Sequence, residues 1–119
     1  MRLKHIINGK EVKTYDNVVN KTKKNNEKYD FFLDNIENCI YITDRLIFIR
    51  ENDEYRFKLE ISSNSICEIY LKKENKTFNI NVKNANYVKT KGRIEFTYNL
   101  ETDEDEHRII LEIGDWYEK

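Results

Sequence analysis

At 119 residues the chain has the length of one domain, and 39% apolar with 13% aromatic residues gives it the means to build a core, which excludes intrinsic disorder. A formal net charge of −1 spreads no one-signed field over the surface, so composition points to neither nucleic acid nor an anionic membrane. Proline is absent and the only glycines are Gly9, Gly92 and Gly114, which excludes a flexible or Pro-rich linker and a glycine-rich phosphate loop.

The elements in chain order are short and alternating. Leu3, His5 and Ile7 share one parity, and Asn8-Gly9 follows, a pair suited to the positive φ angles of a tight hairpin turn. Glu11–Val19 returns as a polar strand with few apolar residues, the pattern of a sheet edge or a long twisted strand. Lys21–Lys28 is a polar loop. Tyr29–Leu33 is an aromatic strand, Asp34-Asn35 and Glu37-Asn38 break the chain around Ile36, and Cys39–Ile42 resumes it. Thr43-Asp44-Arg45 turns into Leu46–Arg50, whose continuous apolar run implies burial on both faces or a bulge.

Asn52-Asp53 is the next turn. Glu54–Ile61 then alternates strictly, with Tyr55, Phe57, Leu59 and Ile61 inward. Cys67, Ile69 and Leu71 come back after the turn Ser62–Ser65, and Phe78, Ile80 and Val82 follow the turn Lys72–Lys76. Tyr87-Val88 is a weaker run. Arg93–Ile113 is a hairpin, with Ile94, Phe96, Tyr98 and Leu100 on one strand and His107, Ile109, Leu111 and Ile113 on the other. Its acidic tip is Glu101–Glu106, and the tail after Gly114 carries Trp116, placed to pack back on the rim.

Strands recurring every ~8–12 residues, with no long helical period, predict an all-β protein. We expect a single domain over residues 1–119, an antiparallel meander closing into a barrel of about eight strands. No apolar run approaches the ~20 residues of a membrane span, and Met1–Asn8 turns polar too soon for a signal peptide. A cytoplasmic protein is expected, with Cys39 and Cys67 as reduced, buried thiols.

The segments EYRFKLEI, CEIYLKKENKTFNINV and KGRIEFTYNLETDEDEHRIILEI, between Glu54 and Ile113, resemble the YwiB-like family, a domain of unknown function from low-GC bacteria. The resemblance covers about half of the chain and rests on the run G-x-I-x-F-x-Y-x-L at Gly92–Leu100, its acidic turn and the last strand. It implies a calycin-type barrel, the architecture of lipocalins, and brings no catalytic residues.

Candidate sites are few. His5 and His107 share parity with apolar neighbours, but a metal needs three or four ligands; two unrelated rim histidines and no metal are expected. The acidic tip lacks the pattern of a Ca²⁺ loop and reads as a solvated turn. Basic clusters at Lys21–Lys28, Lys72–Lys76 and Lys89–Arg93 are interleaved with acidic residues, so a mixed-charge outer face is expected in preference to a nucleic-acid patch. Inward aromatics Tyr55, Phe57, Phe78, Phe96 and Tyr98 either fill the core or line a pocket; if a pocket exists, Tyr55, Phe57, Phe96 and Tyr98 are its candidate lining. No catalytic constellation can be assembled and no cofactor is implied. The expected function is therefore non-enzymatic, the binding of a small apolar or amphipathic ligand. A protein-interaction module or inhibitor working through its outer face is the alternative, and nucleic-acid binding a weaker one.

Overall fold

The computed structural model describes residues 1–20 and 28–113. The expected loop at Lys21–Lys28, apart from Lys28, and the tail with Trp116 lie outside the described residues. Ten strands follow one another: β1 (Arg2–Ile7), β2 (Lys10–Tyr15), β3 (Lys28–Leu33), β4 (Ile36–Ile42), β5 (Leu46–Glu51), β6 (Tyr55–Ile61), β7 (Ile66–Leu71), β8 (Lys76–Thr90), β9 (Arg93–Leu100) and β10 (Glu106–Glu112). Every pairing is antiparallel and the order is β2-β1-β10-β9-β8-β7-β6-β5-β4-β3. The sheet rolls into a nearly closed barrel whose seam lies between β2 and β3.

The strand number differs from the expected eight or so. Eight is the size whose interior side chains just fill, but the ladder here takes in all ten strands before it stops. Large side chains fill the wider ring: Phe31, Ile40, Leu46, Leu59, Ile94, Phe96 and Leu111 are fully buried. The seam is bridged by side chains instead of a ladder. The Tyr15 hydroxyl donates to the Asp34 carboxylate at 2.9 Å, and Asp30 N–H donates to Asn20 Oδ1 at 3.0 Å. Val18 folds back on Met1, its N–H donating to the Met1 carbonyl at 2.8 Å.

Turn chemistry sets the registers. Asn8 and Gly9 have φ of +51° and +79°, and Asp34 and Asn35 have +50° and +64°, so both hairpins turn through two left-handed residues. The expected second break at Glu37-Asn38 does not form. β4 runs through it, because Asn38 turns its amide to the Ile36 carbonyl at 2.9 Å and stays buried. Leu46, Ile47 and Phe48 are all buried while β5 keeps an unbroken register with both neighbours, so burial on two faces, not a bulge, explains that run.

Bulges fall elsewhere. The β1–β2 register shifts at His5/Ile6, which leaves Val12 on the outside at 53% exposure. The other shift is in β8, between Lys83 and Asn86, where Asn84 has φ of +53°. That bulge joins the expected runs Phe78–Val82 and Tyr87-Val88 into one bent strand. Its first half pairs with β7 and its second half with β9.

Candidate functional site

The inward rows are apolar along most of the barrel and turn polar at one end. Leu3 gives way to His5 on β1, Phe48 to Arg50 on β5, Phe96 to Tyr98 on β9, and Ile109 to His107 on β10. Antiparallel pairing brings these ends together, because the turns β1–β2, β3–β4, β5–β6, β7–β8 and β9–β10 all lie there. The β5–β6 turn adds Tyr55. Asn52 Oδ1 accepts the N–H groups of Glu54 and Tyr55 at 2.8 and 3.0 Å, fixing where that strand starts.

Between them lies a cavity of about 200 Å³. Tyr55, Phe57, Tyr98 and Leu100 supply its aromatic and aliphatic wall, and His5, Arg50, Asp103 and His107 its polar side. Of the expected lining, Tyr55, Phe57 and Tyr98 are thus brought together. Phe96 sits in the core at 0% exposure, its ring 5.2 Å from that of Phe48 and 6.4 Å from that of Tyr98. Phe78 is not inward in effect: it is opposite Ile69 yet 48% exposed. The β9 ladder reaches β8 only from Val82 onward, so Phe78 pairs with β7 alone and lies beyond the end of the β8–β9 ladder.

The two histidines were expected to be unrelated, and the structure corrects this. β1 and β10 are neighbours, and His5 Nε2 lies 3.2 Å from His107 Nδ1. His107 Nε2 lies 3.0 Å from Asp103 Oδ2. An ionised carboxylate only accepts, so His107 offers a hydrogen on Nε2, and the tautomer with no hydrogen on Nδ1 accepts there from His5 Nε2–H. The result is a chain of donors from His5 through His107 to Asp103. Tyr98 stacks on His107 with ring centroids 5.1 Å apart.

Environment separates these groups. Burial, with His107 and then Arg50 nearby, holds the His5 imidazole below its ordinary value. A backbone N–H from Asp105, then His107, holds the Asp103 carboxyl low, and burial pushes the Tyr98 hydroxyl up. Among the described residues, no group of three or more His, Cys, Asp or Glu side chains is arranged to hold a metal. Cys39 and Cys67 are both free, and burial pushes each thiol up to about 12.

The acidic tip is more than a solvated turn. Asp105 Oδ1 accepts from Asn8 Nδ2 at 2.7 Å, and Asn8 Oδ1 accepts from Glu106 N–H at 2.8 Å. These bonds clasp the β9–β10 turn to the β1–β2 turn and carry Asp103 over the mouth. The outer face elsewhere is the mixed-charge surface expected, with Lys72 2.9 Å from Glu51 and Arg45 3.3 Å from Glu60.

Sequence reasoning missed Arg50. It shares the parity of Leu46 and Phe48, and its cross-strand partners are Asn38 and Phe57, both on the inward face. Its Nε is buried with no hydrogen-bond partner. That parity was the available signal, a cation at the end of an inward apolar row. Comparison of the chain with family models, with curated proteins and with solved structures finds no match.

Proposed function

We propose that the chain is a calycin-like barrel with a non-enzymatic role, binding a small amphipathic ligand at its mouth. The observation that carries this reading is the cavity of about 200 Å³ in which an aromatic wall meets a convergent set of polar groups. The aromatic and polar groups converge at the mouth, whereas the side chains deeper in, such as Phe31, Leu59 and Phe96, are apolar and fully buried, which favours the mouth over the barrel centre as the place of binding. At ~30 Å³ for each water-sized group the cavity holds about seven, well below a drug-sized ligand. Stacked Tyr98 and His107 give the wall rigidity, and a preorganised wall costs less to order on binding.

Native mass spectrometry of the protein purified from its own cells tests the reading. A small-molecule adduct that denaturation releases is expected. The bare mass alone, together with no chemical shift change at Tyr55, Tyr98 or His107 on adding the host's small-molecule extract, would overturn it.

A further inference from the structure

Donors and charges around the mouth do not balance. Arg50 places a guanidinium on the inward row of β5, and among the described residues it forms neither an ion pair nor a hydrogen bond, with Nε out of contact with water. Tyr55 and Tyr98 line the same cavity, and their hydroxyls make no hydrogen bond among the described residues. Tyr98 is only 6% exposed. Asp103 is the one carboxylate in the lining, and both of its oxygens are in use. Oδ1 accepts from Asp105 N–H at 2.9 Å, and Oδ2 faces His107 Nε2 at 3.0 Å. His5 Nε2–H is likewise committed to His107. What remains in this lining, among the described residues, is the Arg50 guanidinium without an ion pair and the Tyr55 and Tyr98 hydroxyls without a hydrogen bond, facing an apolar wall of Phe57 and Leu100. Arg50 Nε, out of water and without a partner, is the buried polar atom here that calls for an explanation, since such a donor is costly to leave unpaired.

We infer that the mouth takes a small monocarboxylate, its oxygens on the Arg50 guanidinium and the Tyr55 and Tyr98 hydroxyls, its short apolar tail on Phe57 and Leu100. This deepens the binding reading above and rests on it. The planar fork of guanidinium donors matches two carboxylate oxygens, which a point charge does not. A single negative charge also fits the surroundings: it balances the Arg50 guanidinium, which has no ion pair among the described residues, whereas a dianion such as a phosphate monoester leaves a surplus facing Asp103. The volume sets the tail at a few carbons.

Calorimetric titration with sodium hexanoate, hexan-1-ol and hexylamine tests the inference, using the full chain and two variants, Arg50→Met and Arg50→Lys. Wild type is expected to bind hexanoate about tenfold or more tightly than hexanol, and hexylamine least. Arg50→Met is expected to lose that preference while still binding hexanol, and Arg50→Lys to regain only part of it. Urea unfolding of each variant shows that the barrel is intact. Equal affinity of wild type for hexanoate and hexanol, or an undiminished preference in folded Arg50→Met, would overturn the carboxylate assignment and leave the binding reading standing. Failure of all three probes to bind would overturn both.

Discussion

Arg50 decides what the mouth of this barrel is. A cation on a barrel ordinarily turns outward and is solvated, but the parity of β5 sends this one inward after Leu46 and Phe48. An unsatisfied donor out of water costs roughly 1–3 kcal/mol, so removing it relieves the ligand-free protein. We therefore expect Arg50→Met to unfold in urea at the same midpoint as wild type or a higher one, with a gain of up to ~1 kcal/mol. A loss greater than ~1 kcal/mol would mean that Arg50 is stabilised by something other than a ligand. Tyr98 follows the same logic. Its hydroxyl is idle in the free protein, so Tyr98→Phe is expected to keep the fold's stability while weakening carboxylate binding.

The histidine pair gives the residue scale a pH signature. His5 faces His107, Asp103, Tyr98 and Arg50, and its imidazole is held below the ordinary value of 6.5. The unfolded chain therefore binds more protons at this position than the folded chain does. The sign follows: the contribution to stability is complete above about 6.5 and is lost as the pH falls through the depressed folded value. Asp103, also held low, acts in the same sense but only in more acidic solution. Urea midpoints measured at about pH 7.5 and about pH 5.5 are expected to fall on acidification, and His5→Gln to flatten that fall. An unchanged slope in the variant would place the proton elsewhere.

At the scale of the element, turns were the most legible feature of the sequence. Asn8-Gly9 and Asp34-Asn35 read as turns from chemistry alone, and their positive φ angles agree. A methyl group on Gly9 would meet nothing within 4 Å, so Gly9→Ala tests conformation without steric clash. At φ of +79° an alanine is strained by roughly 1 kcal/mol, and that loss is expected in thermal or urea unfolding. No loss would show that the turn relaxes to another type. Features that hang on non-local pairing were not legible. The β8 bulge at Asn84 and the overhang of Phe78 both depend on where β9 ends, which no local pattern encodes. Asn38 reads as a turn residue in isolation, yet its amide finds the Ile36 carbonyl and the strand continues. The histidine chain needed β1 beside β10 as well as the tip folding back, and only the first follows from a closing barrel.

For the molecule as a whole, the alternation of the strands announced an all-β meander, while the number in the ring and the seam did not follow from it. Ten strands leave β2 and β3 as the two ends of one sheet, joined by contacts such as Tyr15 to Asp34 and not by a ladder. Local opening is cheapest where backbone bonds are fewest. Amide hydrogen exchange is therefore expected to be fastest in β2 and β3 and slowest in β9 and β6, whose Phe96 and Leu59 lie fully buried. Fast exchange in β9 would contradict a core centred there. Phe96→Ala, at the middle of that core, is expected to cost about 3–5 kcal/mol, against no loss for Arg50→Met at its edge. That contrast separates the part of the barrel that holds the fold from the part left free to bind.

Binding at the mouth is tested most directly by a ¹H–¹⁵N and aromatic ¹H–¹³C shift map of the full chain titrated with sodium hexanoate. Saturable shifts centred on His5, Arg50, Tyr55, Tyr98 and His107, with the outer face silent, are the result expected. Shifts that stay absent at saturating probe, or that gather on the outer face away from the mouth, would contradict it.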